Sequence, residues 1–141
     1  MTANTPQSRK QKGRLFQQQI AKAILDFFPE LTENDVKSTS MGKSGSDLEL
    51  SEKALRMLNI EPECKFQEKL NVHNAMKQVI DRLNKKKPKQ FKNVDTMVKT
   101  ILKIPVLFFK KSYSEPYVCI RLDDFLSLLR SNYEQTKDFI R

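Results

Sequence analysis

Three residues stand at a spacing that can do chemistry: Asp47, Glu63 and Lys65. In Glu63-Cys64-Lys65-Phe66-Gln67, strand alternation puts Glu63, Lys65 and Gln67 on one face and turns Cys64 and Phe66 toward a core. In Asp47-Leu48-Glu49-Leu50 the same alternation puts Asp47 and Glu49 opposite two leucines. Two such strands lying side by side must turn their apolar faces the same way, so their polar faces coincide. Asp47, Glu63 and Lys65 then converge on one patch. Hard carboxylate oxygens suit Mg²⁺ or Mn²⁺. A metal held there can activate water and neutralise charge on a phosphodiester. An ammonium beside it can orient or deprotonate that water, or stabilise the transition state. The same spacing also describes a solvated salt bridge on an open sheet face, because Glu-x-Lys recurs by chance.

The elements that must position these residues are legible in the hydrophobic pattern. From Gly13, Phe16, Ile20, Ile24 and Phe27 recur at helical spacing until Pro29 stops the run. Residues 36–40 and 47–50 read as short strands around a turn containing Gly42 and Gly45. Ser51 caps a short helix carrying Ala54, Leu55 and Leu58, and 62–67 alternates as a further strand. Val72, Met76, Val79, Ile80 and Leu83 mark an amphipathic helix starting near Asn71. A lysine-rich loop with Pro88 follows over 84–92, then a short helix capped by Asn93 and running to Leu102. Val106-Leu107-Phe108-Phe109 is the continuous apolar run of a central strand, 117–122 gives a last strand, and Asp123 caps a final helix. The order predicts an α/β fold: a single mixed β-sheet of about five strands with helices on both faces. Residues 1–12 lack apolar periodicity and read as a disordered basic tail, followed by one domain over 13–141.

The 141 residues carry a net charge of +9, and its placement matters more than its size. Residues 1–14 hold Arg9, Lys10, Lys12 and Arg14 and no acid, while 85–103 holds seven lysines against Asp95. The remaining body is near neutral. Two basic segments on a neutral body point to a polyanion, with nucleic acid ahead of a membrane surface. Apolar stretches fall well short of the ~20 residues that cross a bilayer. The two cysteines, Cys64 and Cys119, fall inside predicted strands without CxxC spacing, which excludes a disulfide scaffold and fits a reducing, cytoplasmic compartment.

The wording around the candidate triad is also specific. Ser-Thr-Ser-Met-Gly-Lys-Ser-Gly-Ser-Asp over 38–47, then Glu-Cys-Lys-Phe-Gln-Glu over 63–68, resembles the PD-(D/E)xK nuclease superfamily, in particular small phage endonucleases of the Holliday-junction-resolvase-like branch. Ser114-Glu115-Pro116, Val118 and Asp123-Asp124-Phe125-Leu126 extend the resemblance to about residues 12–129. It implies Asp47, Glu63 and Lys65 as the catalytic set, with Asp47 and Glu63 as ligands to Mg²⁺, for which Mn²⁺ can substitute. Resolvases of this superfamily usually carry a Glu on the first helix, four residues after a Lys-Gly pair. Here Lys12-Gly13 leads instead to Gln17, a weaker ligand. Gln17, Gln67 and Ser46 are therefore accessory candidates. Arg9, Lys10, Lys12, Arg14, Lys43, Lys85, Lys86, Lys87 and Lys89 are candidates for holding the DNA backbone, a contact that does not read sequence. The reading is a Mg²⁺-dependent endodeoxyribonuclease acting on branched DNA such as four-way junctions. It would be a homodimer, so that two sites match the junction's symmetry, and would work in the host cytoplasm if phage-encoded. The rivals are a nicking or linear-duplex nuclease and a catalytically silent DNA-binding module on the same fold.

Overall fold

The computed structural model describes residues 5–40, 45–85, 93–94 and 103–140. The chain runs α1 (Pro6–Phe27), β1 (Val36–Ser38), β2 (Leu48–Leu50), α2 (Glu52–Leu58), β3 (Ile60–Phe66), α3 (Val72–Asn84), β4 (Ile104–Lys110), β5 (Tyr117–Cys119) and α4 (Leu122–Thr136), then a 3₁₀ turn over Lys137–Phe139. The α/β class is as expected, and helices lie on both faces. The strands do not form one sheet, however. β1 and β2 pair as an antiparallel two-stranded ladder, while β3, β4 and β5 form a separate three-stranded sheet with β4 in the centre.

Pro62 and Asp47 explain the break. Backbone groups alternate between the two edges of a strand, so Pro62 and Cys64 present theirs to the same side of β3. Pro62 has no N–H to offer a ladder. Its carbonyl accepts instead from Arg82 Nη2 at 3.1 Å, and the Cys64 N–H donates to Asp47 Oδ2 at 2.7 Å. Side chains thus occupy the edge where a β2 ladder would form. Pro105, paired with Glu61, lies near the start of β4, before the pairing with β5 begins at Leu107.

The parity of β3 is as read from the sequence. Cys64 and Phe66 face α1, where Phe16 packs edge-on against Phe66 with ring centroids 6.2 Å apart. Phe16, Ile20 and Ala21 of α1 join Leu31, Val36, Leu48, Ala54 and Cys64 in a buried cluster, so α1 bridges the two sheets. On the opposite face α3 lies against β4 and buries Ala75 and Val79. Asn71 caps α3 and Ser51 caps α2, each side-chain oxygen accepting an N–H three residues on at 3.0 Å.

Two further expectations change. The helix begins at Pro6 rather than after residue 12: Thr5 Oγ1 accepts the Ser8 N–H at 3.1 Å and Pro6 supplies a preset φ in the first turn. Residues 6–12 are therefore helical, held by capping and by continuity with the packed half of α1, neither of which leaves an apolar period. At the other end Arg121, not Asp123, takes the N-cap position of α4, with Asp123 and Asp124 in the first turn. The helix expected to run on to Leu102, apart from Asn93 and Val94, lies outside the described residues. No described helix is long and apolar enough to cross a membrane.

Phe16 is 2% exposed at the point where α1 meets both sheets. Phe16→Ala should cost about 3–5 kcal/mol, read by chemical denaturation, because the two sheets share little else that would collapse into the space.

Candidate active site

The site forms along the free edge of β3. β1 and β2 present Asp47, with Gly45 at φ 105 in the turn before it, a backbone conformation suited to glycine. Beyond the ladder, the Thr39 N–H donates to the Asp47 carbonyl at 2.8 Å and Thr39 Oγ1 to the Ser46 carbonyl at 2.5 Å. The backbone on either side of Asp47 is thereby fixed, and its carboxylate reaches across to the Cys64 N–H. Glu63, 7% exposed, shares a hydrogen bond with Asp47, and Lys65 Nζ lies 3.5 Å from Glu63 Oε1. The three residues expected to converge do so, through side chains rather than through adjacent ladders.

Behind them stands a network with no motif to announce it. Arg82, on α3, donates from Nε to Glu61 Oε1 and from Nη1 to Glu63 Oε2, both at 2.8 Å. Glu61 is 4% exposed; its Oε1 also accepts from Ser46 Oγ at 2.5 Å, and Lys103 Nζ lies 3.8 Å from Oε2. Ser46 is thus brought in as an anchor beside Asp47. Glu61 and Arg82 were invisible to sequence reading. The one available signal was parity: Glu61 falls two residues before Glu63 on the same strand face, and a buried acid there requires a cation.

The electrostatics separate the acids. Burial, then the charge of Glu63 and the hydrogen bond shared with it, raise Asp47 to about 6, outweighing the Cys64 N–H and Lys65. Burial also pushes Glu61 upward, but the hydrogen bonds from Ser46 and Arg82, with the charges of Arg82 and Lys103, hold it below its ordinary value. Burial and the charges of Asp47 and Glu63 push the Cys64 thiol well up, so it stays neutral and unreactive.

Two adjacent carboxylates, one disfavoured as an anion, fit a divalent cation, whose charge would relieve both. Among the described residues no group of three or more His, Cys, Asp or Glu could hold a metal. Asp47 and Glu63 are the residues here that could hold such an ion, with water and substrate completing its shell.

Beside this edge a cavity of about 760 Å³ wraps the end of β3, lined by Arg9, Lys10, Lys12 and Gly13 of α1 and by Lys65, Gln67 and Lys69. Lys12 and Lys110 place their ammonium groups 6.0 and 5.5 Å from the Phe66 ring centre. Gln67 is exposed at the rim. Arg14 is exposed on α1 outside the residues lining this cavity, and Lys85 is exposed at the end of α3. Gln17 is half-buried on α1, and among the described contacts none joins it to the carboxylates. Lys43, Lys86, Lys87 and Lys89 lie outside the described residues.

A family model described as "Phage putative PDDEXK endonuclease" matches residues 8–140. The chain belongs to that family. The match reaches from the basic half of α1 to the end of the chain, and it brings nuclease activity, and with it DNA as what the protein acts on. Nucleases of the PD-(D/E)xK class generally use divalent metal ions, in keeping with the paired carboxylates. No curated protein and no solved structure matches the chain.

The network gives two predictions. Arg82→Ala should cost about 3–5 kcal/mol in a denaturant titration, because it strands two buried carboxylates. For Asp47 the sign is the reverse. Below its ordinary 3.8 both folded and unfolded chains hold the proton. Between 3.8 and about 6 only the folded chain does, so stability falls as pH rises and the loss is complete above 6. Asp47→Asn keeps an acceptor for Cys64 and removes the charge. In metal-free buffer at pH 7 it should be more stable than the native protein by about 1–2 kcal/mol after solvent screening, with flatter stability between pH 4 and 6.

Proposed function

We propose that this protein is a Mg²⁺-dependent endodeoxyribonuclease that cuts phosphodiester bonds in branched DNA, with the four-way junction as its substrate. The observation that carries the reading is the convergence of Asp47, Glu63 and Lys65 along one edge of β3, beside a cavity whose lining includes five cations and Phe66. In this reading Asp47 and Glu63 hold the metal, which when bound supplies Lewis acidity toward a phosphate oxygen and the attacking water. Arg82 occupies Glu63 Oε2 and so leaves Oε1 to Lys65. Lys65 orients the water or offsets the negative charge that builds on the phosphate. Arg9, Lys10 and Lys12 hold the DNA backbone along the cavity, and the scissile phosphate sits at its catalytic end. Gln67 stands close enough to the same end to hold water or phosphate. Such a substrate places the protein in the cytoplasm of the infected cell, where the unpaired Cys64 and Cys119 remain reduced.

Resolution of a junction needs two cuts, and one chain supplies one site. A C₂ homodimer meets that need. The exposed apolar side of α4 supports it: Phe125, Leu126, Leu128, Leu129 and Tyr133 are each 47–50% exposed, and none of the helix is buried.

Cleavage of junction, flap, duplex and single strand, with Mg²⁺ and with EDTA, tests the reading. Glu63→Gln and Lys65→Ala should each lower the junction rate at least a hundredfold while leaving DNA affinity near native. Near-native cutting by Glu63→Gln would remove this site assignment, and faster cutting of unbranched duplex would favour the linear-duplex alternative. Replacing Arg9 and Lys10 together should lower the salt slope of duplex binding by about 1.8, at about 0.9 per lost phosphate contact. Sedimentation should give a dimer that Leu129→Glu dissociates, leaving an enzyme that only nicks a cruciform plasmid.

A further inference from the structure

The turn between β4 and β5 places a bulky residue where the turn needs a left-handed backbone. Tyr113 has φ 63, in the left-handed region, and its side chain is 101% exposed. A bulky residue in that region is a steric outlier, and glycine or asparagine would fill it at lower cost. Full exposure means that no packing within the chain compensates. Such a residue is a reason to look for a contact outside the chain.

The turn is also held in place. Ser114 Oγ accepts the Lys111 N–H at 3.1 Å and donates to the Lys111 carbonyl at 3.1 Å, and the Ser114 N–H donates to the same carbonyl at 3.2 Å. Ser112 donates from both N–H and Oγ to Glu68 Oε1, which ties the turn to the segment leaving β3. One residue earlier, the Gln67 N–H donates to the Lys110 carbonyl at 3.1 Å. A rigid turn therefore presents one bare aromatic ring, with the exposed Lys111 two residues before it in the chain. Glu68 follows the end of β3 by two residues, so the turn adjoins the end of the strand that carries Glu63 and Lys65.

We propose that Tyr113 is a stacking platform for an unpaired or unstacked nucleobase near the cut phosphate. A branch point or single-stranded segment exposes such a base, whereas continuous duplex keeps its bases stacked on one another. An aromatic ring on a fixed turn, with a cation close by in the chain to hold an adjoining phosphate, has the chemistry to receive it. This inference rests on the reading of the protein as a nuclease of branched DNA, and it adds the element that distinguishes branched from continuous substrate.

The test uses full-length protein in EDTA, so that nothing is cut. Junctions carrying 5-iodouracil at successive positions around the branch are irradiated, and the cross-linked residue is identified by mass spectrometry. Affinities for junction, single strand and duplex are read in parallel by fluorescence anisotropy. We expect a cross-link to Tyr113 from one or two positions near the branch, retained by Tyr113→Trp and lost in Tyr113→Ala. Junction affinity should fall roughly tenfold in Tyr113→Ala, within the range for losing one base stack, and duplex affinity should not change. Tyr113→Gly should raise the melting temperature, because it relieves the left-handed backbone, while losing junction affinity as the alanine variant does. Equal losses on junction and duplex, or a Tyr113→Ala protein with native junction affinity, would overturn the stacking role and leave the nuclease reading intact. A Tyr113 cross-link to single strand bound more tightly than junction would keep the stacking role and remove the four-way junction as substrate. Native protein that binds none of the three DNAs would overturn both.

Discussion

The Cys64 amide sits on an edge of β3 that has no ladder partner, and a buried backbone donor left unpaired costs about 1–3 kcal/mol. Asp47 meets that need with a side-chain oxygen rather than a carbonyl from β2. Much of the site depends on this substitution. It stops the two sheets from closing into one and gives the β3 edge to side chains instead of a ladder. It also fixes a carboxylate within hydrogen-bonding reach of Glu63. Pro62 works in the same direction, since it has no donor with which to begin a ladder.

Placing carboxylates this close is unfavourable, and the chain offsets it unequally. Arg82 spans Glu61 and Glu63 with a 2.8 Å contact to each, and Lys103 and Ser46 complete the surroundings of Glu61. These acids are compensated and serve as a rigid base. Asp47 receives one backbone N–H and the distant influence of Lys65, and its elevated proton affinity is the measure of what is left uncompensated. A site built to attract a cation must keep some negative charge unbalanced, so its stability in the absence of the cation is lowered. The imbalance is confined to one residue, carried by the two-stranded hairpin and set against the edge of β3.

The cations are organised on the same plan. Arg9, Lys10 and Lys12 project from a helix whose other half is packed by Phe16 and Ile20, so their positions are tied to the core. A flexible tail would leave such cations without register; the helix holds them beside one end of β3.

The amino-acid sequence by itself determined the local elements and the chemistry they offer. Alternation in 63–67 put Glu63 and Lys65 on one face, Asn71 and Ser51 marked two helix starts, and the apolar run at 106–109 marked the central strand. These features depend on near neighbours in the chain, and the chain states them directly. Tertiary structure decided the rest. Whether β2 pairs with β1 or β3 turns on a contact between residues 17 apart, Asp47 and Cys64. That Glu61 is buried, and that Arg82 of α3 is its partner at 21 residues' distance, follows from how α3 lies on the sheet. Periodicity records which side of an element is apolar, and it does not record which element will cover it. Residues 6–12 show the same limit: a capped, exposed extension of a helix leaves no hydrophobic period to read, because no part of it needs to be buried.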